Sequence, residues 1–261
     1  MIDNTRRHVI CLLGQGLDFD DLERVARDAG GEGFEVDLEF SQHDRDPRMT
    51  EAFRASADRV VPTFDDGDWA AIDAHTDVLY LLSPTFTDST AVDVAHRTLA
   101  ATAASLREGA TAAKGECSGI AHGRDRWLDL ADLADAARHG DAATLDLASA
   151  LHLAWVRRPI SDAGWLYTCG MHLLGQPDIE HPDDDPDWLE WMDALALYLL
   201  AELPADGIRD GEGFRLTAEG SRRVLRHTAC QRYDADDLFF NPYGYWRLTP
   251  DTPTGAASAT G

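Results

Sequence analysis

The run Val78-Leu79-Tyr80-Leu81-Leu82, stopped by Ser83-Pro84, restricts the fold more than any other segment. Side chains along a strand point alternately to opposite faces, so a continuous apolar run predicts a central strand buried on both. The residues after it change period. Asp88, Ser89 or Thr90 can cap a helix whose inward stripe is Val92, Ala95, Leu99, Ala103 and Leu106, with Gly109 ending it. The same order occurs earlier: His8 to Leu13 closes at Gly14-Gln15-Gly16, and Asp18 precedes the helically spaced Leu22, Val25, Ala26 and Ala29.

Other segments extend the alternation of strands and helices. Phe34, Val36, Leu38 and Phe40 alternate with Glu35, Asp37 and Glu39, which predicts a strand with one acidic, wet face. A short helix is expected near Thr50 to Ala57. Ala110 to Cys117 reads as a strand broken by Ser118-Gly119, followed by a helix with Trp127, Leu130, Ala134 and Ala137 on one face and Gly140 closing it. Thr144 to Ser149 is expected to be helical. Leu151, Leu153 and Trp155 alternate, so Leu151 to Ile160 is expected to be a strand, turning at Ser161–Gly164 into an antiparallel partner, Trp165 to Met171. Asp185 and Pro186 are the expected cap and first residue of a helix carrying Trp188, Trp191, Met192, Leu195, Leu199 and Leu203. Short strands are expected at Phe214 to Leu216 and Phe239 to Leu248. There is no repeat and no clean linker. The expected architecture is one α+β domain over 1–249, a mixed or antiparallel sheet with helices packed mainly on one side, and a disordered tail over 250–261.

Charge narrows the partners. The formal net charge is −24 and the chain has one lysine, Lys114, so phosphate recognition by clustered cations is not expected and nucleic acid is excluded as a partner. A basic protein partner fits the acidity better. The longest apolar segments, Val78 to Leu82 and Ala194 to Leu200, fall far below the roughly 20 residues that span a bilayer, so no membrane association is expected. Met1 to Arg7 is polar and gives no secretory leader. Cys11, Cys117, Cys169 and Cys230 lack CxxC spacing and read as reduced thiols of a cytoplasmic protein.

The densest group of reactive side chains is Lys114-Gly115-Glu116-Cys117-Ser118-Gly119-Ile120-Ala121-His122. On a strand Lys114 and Glu116 share a face, as a structural ion pair or as an acid and a base side by side. Cys117, Cys169 with His172, and His227 with Cys230 are too loosely spaced for a closed zinc site, and neither metal nor cofactor is expected. Cys117 with His122 lacks a third orienting residue for a thiol nucleophile. Gly14-x-Gly16 lacks the third glycine of a dinucleotide loop, and Asp18 would repel phosphates. The tryptophans sit at core spacing, and Asp183 to Asp187 serves helix capping better than calcium.

Two segments together resemble a known family. Lys114-x-Glu116-x-Ser118-Gly119-x-x-His122 with Trp127, and Tyr167-x-x-Gly170-Met171-x-x-Leu174-Gly175-x-Pro177-Asp178-x-Glu180, are similar to the bacterial family called domain of unknown function 4261, over roughly residues 75–205. The resemblance implies an α+β fold and no assigned activity, and it does not reach the first 70 residues. Ser118, Gly119, Gly170, Met171, Gly175, Pro177 and Asp178 are its binding or structural motif positions. The expected function is a non-catalytic interaction or regulatory module with an acidic surface. The alternative is a hydrolase using Lys114, Glu116 and His122 in a pocket near the Gly170 to Asp178 loop. Oligomeric state is not legible.

Overall fold

The computed structural model describes residues 6–138, 143–204 and 207–251. Its first sheet has the order β2-β3-β1-β4-β5, with every neighbouring pair antiparallel. The strands are β1 (Val9–Gly14), β2 (Glu35–Val36), β3 (Asp77–Leu82), β4 (Ala110–Gly115) and β5 (Ile120–His122). The apolar run of β3 is buried on both faces apart from the half-buried Tyr80 and Leu82, but the central place belongs to β1. Helices α1 (Phe19–Gly30), α4 (Ala91–Glu108) and α5 (Arg124–Ala137) share a core with Ile10, Leu12, Leu79, Leu81 and Ala113. The shorter α2 (Met49–Ala57) and α3 (Asp66–Asp73) cover Cys11, Leu13, Val78, Ala112 and Ala121 on the other face. The larger helical layer therefore lies on one side.

The second sheet is mixed, in the order β6-β7-β8-β11-β10-β9. It comprises β6 (Arg157–Asp162), β7 (Trp165–Cys169), β8 (Asp178–Pro182), β9 (Gly213–Phe214), β10 (Arg223–Thr228) and β11 (Tyr245–Pro250), with β8 and β11 parallel. The fold is thus α+β, and one continuous apolar core runs from Ile10 to Leu248. No helix among the described residues is long and apolar enough to cross a membrane.

Local chemistry explains the elements that match expectation. Asp18 caps α1 by accepting the Asp21 N–H at 3.1 Å. The expected hairpin forms between β6 and β7, with positive φ at Ala163 and Gly164 as a two-residue turn of the I′ kind requires.

Several elements differ. Of the expected Phe34 to Phe40 strand, Glu35–Val36 pairs with β3, and the Asp37 N–H adds a last hydrogen bond to the Tyr80 carbonyl at 2.8 Å. The Val36 N–H is taken by Glu23, and the Asp37 carboxylate accepts the Glu39 N–H, so the chain turns and leaves Leu38 and Phe40 exposed. In α4, Val92 faces outward and Val94 takes the buried place. The expected strand from Leu151 is instead the end of α6 (Ala143–Trp155), because Ala148, Leu151 and Trp155 recur at helical spacing against α5. The strand begins only at Arg157. Asp185 does not cap α7 (Trp188–Leu197); its carboxylate pairs with Arg223, Asp187 occupies the cap position, and Leu203 is exposed past the helix. β10 was not expected, and the expected Phe239 to Leu248 strand is confined to β11. Gly140 and the tail from 252 onward lie outside the described residues.

The two sheets meet at Gly170, whose φ is +123° and where a Cβ would stand 2.3 Å from the Trp155 carbonyl oxygen and 2.9 Å from the Ser118 Cβ. Gly175 (φ +75°) closes the turn Met171–Leu174 with more room, its nearest neighbour being the Ala91 Cβ at 3.2 Å. Gly170→Ala is therefore expected to lower unfolding free energy by at least ~2 kcal/mol and Gly175→Ala by about 1 kcal/mol. Urea denaturation checks both, and the reverse order would contradict this packing.

Candidate functional site

Lys114 and Glu116 do share a face of β4. The Lys114 Nζ lies 2.8 Å from Glu116 Oε2, with side chains 11% and 18% exposed. Lys114 stands opposite Cys11 on β1 and Ala121 on β5, which puts the pair on the face covered by α2.

His122 stands opposite Ala113, one residue out of phase with Lys114, so its side chain goes to the other face of the sheet. There its ring meets Trp127 edge-on at 4.8 Å. The expected convergence of Lys114, Glu116 and His122 is thus corrected. The Ser118-Gly119 turn does reverse the chain, with Gly119 at φ +64°, but register parity sends His122 away from Lys114.

The second motif is a structural clasp. Asp178 is fully enclosed and accepts hydrogen bonds from Thr168 Oγ1 (2.8 Å), the Met171 N–H (3.2 Å) and Asn241 Nδ2 (2.7 Å). Burial pushes its pKa up to about 7 against the opposing effect of those donors. Met171 is buried, and Pro177 leads half-buried into β8. Gly170 touches Ser118, so the two motif segments do come together there. Beside the clasp, buried Glu180 pairs with Arg232 and Arg247.

The arrangement with chemical potential lies around His122. A cleft of about 390 Å3 opens between β5, the first turn of α5, the junction of α6 with β6, and the start of α7. Four arginines line it in a strongly acidic chain: Arg59, Arg126, Arg157 and Arg158. Arg157 donates to the Ala55 carbonyl and to Asp58 (3.2 Å), Arg59 also reaches Asp58 (3.3 Å), and Arg158 grips Asp193 through two nitrogens. The Arg126 guanidinium makes no hydrogen bond or ion pair with the described residues, and its Nε is buried without a partner.

His122 is only 4% exposed, and neither ring nitrogen makes a hydrogen bond of good geometry, the Ala154 and Leu153 carbonyls being its nearest acceptors. Burial, helped by the charges of Arg126 and Arg158, lowers its pKa to about 4 against the opposing effect of the nearby Ala154 and Leu153 carbonyls. The ring is therefore neutral at pH 7. A neutral imidazole and an unpaired guanidinium offer donors to an anion.

The arginines were missed by sequence reading. Only the adjacent Arg157-Arg158 before Pro159 marks them locally; Arg59 and Arg126 reach the cleft from distant elements. Among the described residues no three His, Cys, Asp or Glu side chains gather to hold a metal ion. These features define an α+β protein of two sheets with a cationic cleft at their junction. No family model matches the chain, nor does any curated protein or solved structure.

Two outcomes follow. A double-mutant cycle of Lys114→Met and Glu116→Gln is expected to give a coupling of about 1 kcal/mol, as for a partly buried structural pair; a coupling of zero would contradict the contact. Second, His8, His122 and His172 have folded pKa values of about 3, 4 and 4, below the ordinary 6.5. Their contribution is fully present above pH 6.5 and is lost as pH falls toward 4. Asp178, raised to about 7, acts oppositely but is one group against three. Stability is expected to fall between pH 6.5 and 4.5, and His122→Gln to flatten that fall by on the order of 2 kcal/mol. Denaturation at stepped pH measures the slope; an unchanged slope in the variant would contradict the burial of His122.

Proposed function

We propose that the protein is a non-catalytic cytoplasmic binding module whose site is the cleft beside His122 and whose ligand is a small anion. The observation carrying this reading is the Arg126 guanidinium, with no hydrogen-bond or ion-pair partner among the described residues, beside a buried neutral histidine in a cavity of about 390 Å3. An enclosed donor without a partner costs free energy that an arriving acceptor recovers. The volume falls within the range of small-molecule sites, roughly 300–1,000 Å3.

Support for binding rather than hydrolysis comes from the sheet itself, which stands between the Lys114–Glu116 pair and His122, beyond the reach of direct proton transfer. The free thiols Cys11, Cys117, Cys169 and Cys230 fit a reducing compartment. Membership of the family called domain of unknown function 4261 is proposed on its motif residues alone and contributes no activity. A second reading, docking of a basic protein partner, is favoured by the exposed Leu38 and Phe40 beside Glu35, Asp37 and Glu39. Nucleic acid is not part of either reading.

Calorimetry with a panel of inorganic and organic anions, against chloride at matched ionic strength, tests the first reading. Saturable binding is expected, lost at least tenfold in Arg126→Gln, with the anion recovered chemically unchanged by NMR. Binding that survives Arg126→Gln, or none at all, would overturn it.

A further inference from the structure

We infer that the cleft takes a monocarboxylate carried on an apolar body, an inference that rests on the anion-binding reading above. The head group follows from how the charges are already matched. Arg158 has Asp193, and Arg157 and Arg59 share Asp58. Arg59 keeps a side chain 36% exposed, so water hydrates it at the rim. Arg126 is the half-buried guanidinium in the cleft without a carboxylate, its Nε enclosed, and the neutral His122 beside it adds no charge. One unpaired positive charge compensates one negative charge. A dianionic phosphate ester would bring a second charge out of water unpaired. A planar carboxylate also matches the guanidinium fork through two parallel hydrogen bonds.

The body follows from the walls. Ile120, Leu153, Val156 and Pro159 line the cleft beside the arginines, with the half-buried indole of Trp188. At the mouth Val61 is 81% exposed and Leu189 42% exposed. A bare inorganic anion would leave these two side chains in water. An aliphatic chain or ring leaving the head group would cover them and add apolar burial to the charge pairing.

Calorimetry on the full chain with 3-phenylpropionate, acetate, inorganic phosphate, phenyl phosphate and the uncharged 3-phenylpropionamide tests this. 3-Phenylpropionate is expected to bind at least tenfold tighter than acetate, phosphate or the amide, and tighter than phenyl phosphate. Its binding is expected to change tryptophan fluorescence, and Trp188→Phe to remove that change. Arg126→Gln is expected to weaken it at least tenfold. Val61→Asp, at a rim position too exposed to disturb folding, is expected to weaken it at least threefold, and unchanged binding in that variant overturns the apolar body even if Arg126→Gln fails to fold. Acetate or phosphate binding as tightly as 3-phenylpropionate overturns the apolar body while anion binding stands. Phenyl phosphate binding more tightly overturns the monocarboxylate head. Equal binding of the amide, or no binding by any anion, overturns this inference and the reading beneath it together.

Discussion

The pairing of β1 between β3 and β4, with both faces dry, fixes the geometry on which the rest depends. Ile10 and Leu12 are fully enclosed on one side, Cys11 and Leu13 on the other. Full burial of such aliphatic side chains is worth about 1.5–3 kcal/mol each, so a one-residue slip, which would exchange the two sets, is strongly disfavoured by the unlike helical layers. Register then assigns a face to every residue on the neighbouring strands. Lys114, opposite Cys11, goes beneath α2, and His122, opposite Ala113, goes toward α5 and α6. The ion pair and the cleft lie on opposite faces of the sheet for this reason alone.

The second sheet is attached through a close backbone approach. The end of β7 rests on the carbonyl of Trp155 because Gly170 has no Cβ, and the residues just after Trp155 include Arg157 and Arg158. The contact that joins the sheets thus delivers two arginines to the cleft. The Asp178 clasp holds the other side of that turn, tying β7, the turn after it and β8 to the Asn241 loop. Burial raises its pKa against the pull of three donors, a cost the chain carries where backbone segments must be held in register.

Electrostatics acts on two length scales. The net charge of −24 repels anions at long range, but salt at physiological strength confines that field to about 8 Å from exposed charges. Inside the cleft the apolar walls lower the local dielectric, so a few enclosed guanidinium groups act more strongly per charge than the many hydrated carboxylates outside. An acidic protein with a cationic cleft is therefore consistent, and net charge alone describes its solubility better than its ligand.

Local signals alone specify β1, β3, α1, α4 and α5 and the β6–β7 hairpin, because strong periodicity, caps and turn residues act within a few residues of chain. They also determine that Lys114 and Glu116 share a face, since strand alternation is local. They do not determine that α6 runs to Trp155, where Leu151, Leu153 and Trp155 satisfy a strand pattern as readily as a helical one until α5 supplies the packing partner. Nor do they show that Asp37 turns the chain before Leu38. The side on which His122 falls was decided only by the pairing of Gly115 with Ile120, a register between strands that no local signal encodes. The meeting of Arg59, Arg126, Arg157 and Arg158 was likewise decided by tertiary structure, because long, flexible cations leave no periodic trace and converge only when the elements carrying them are packed together.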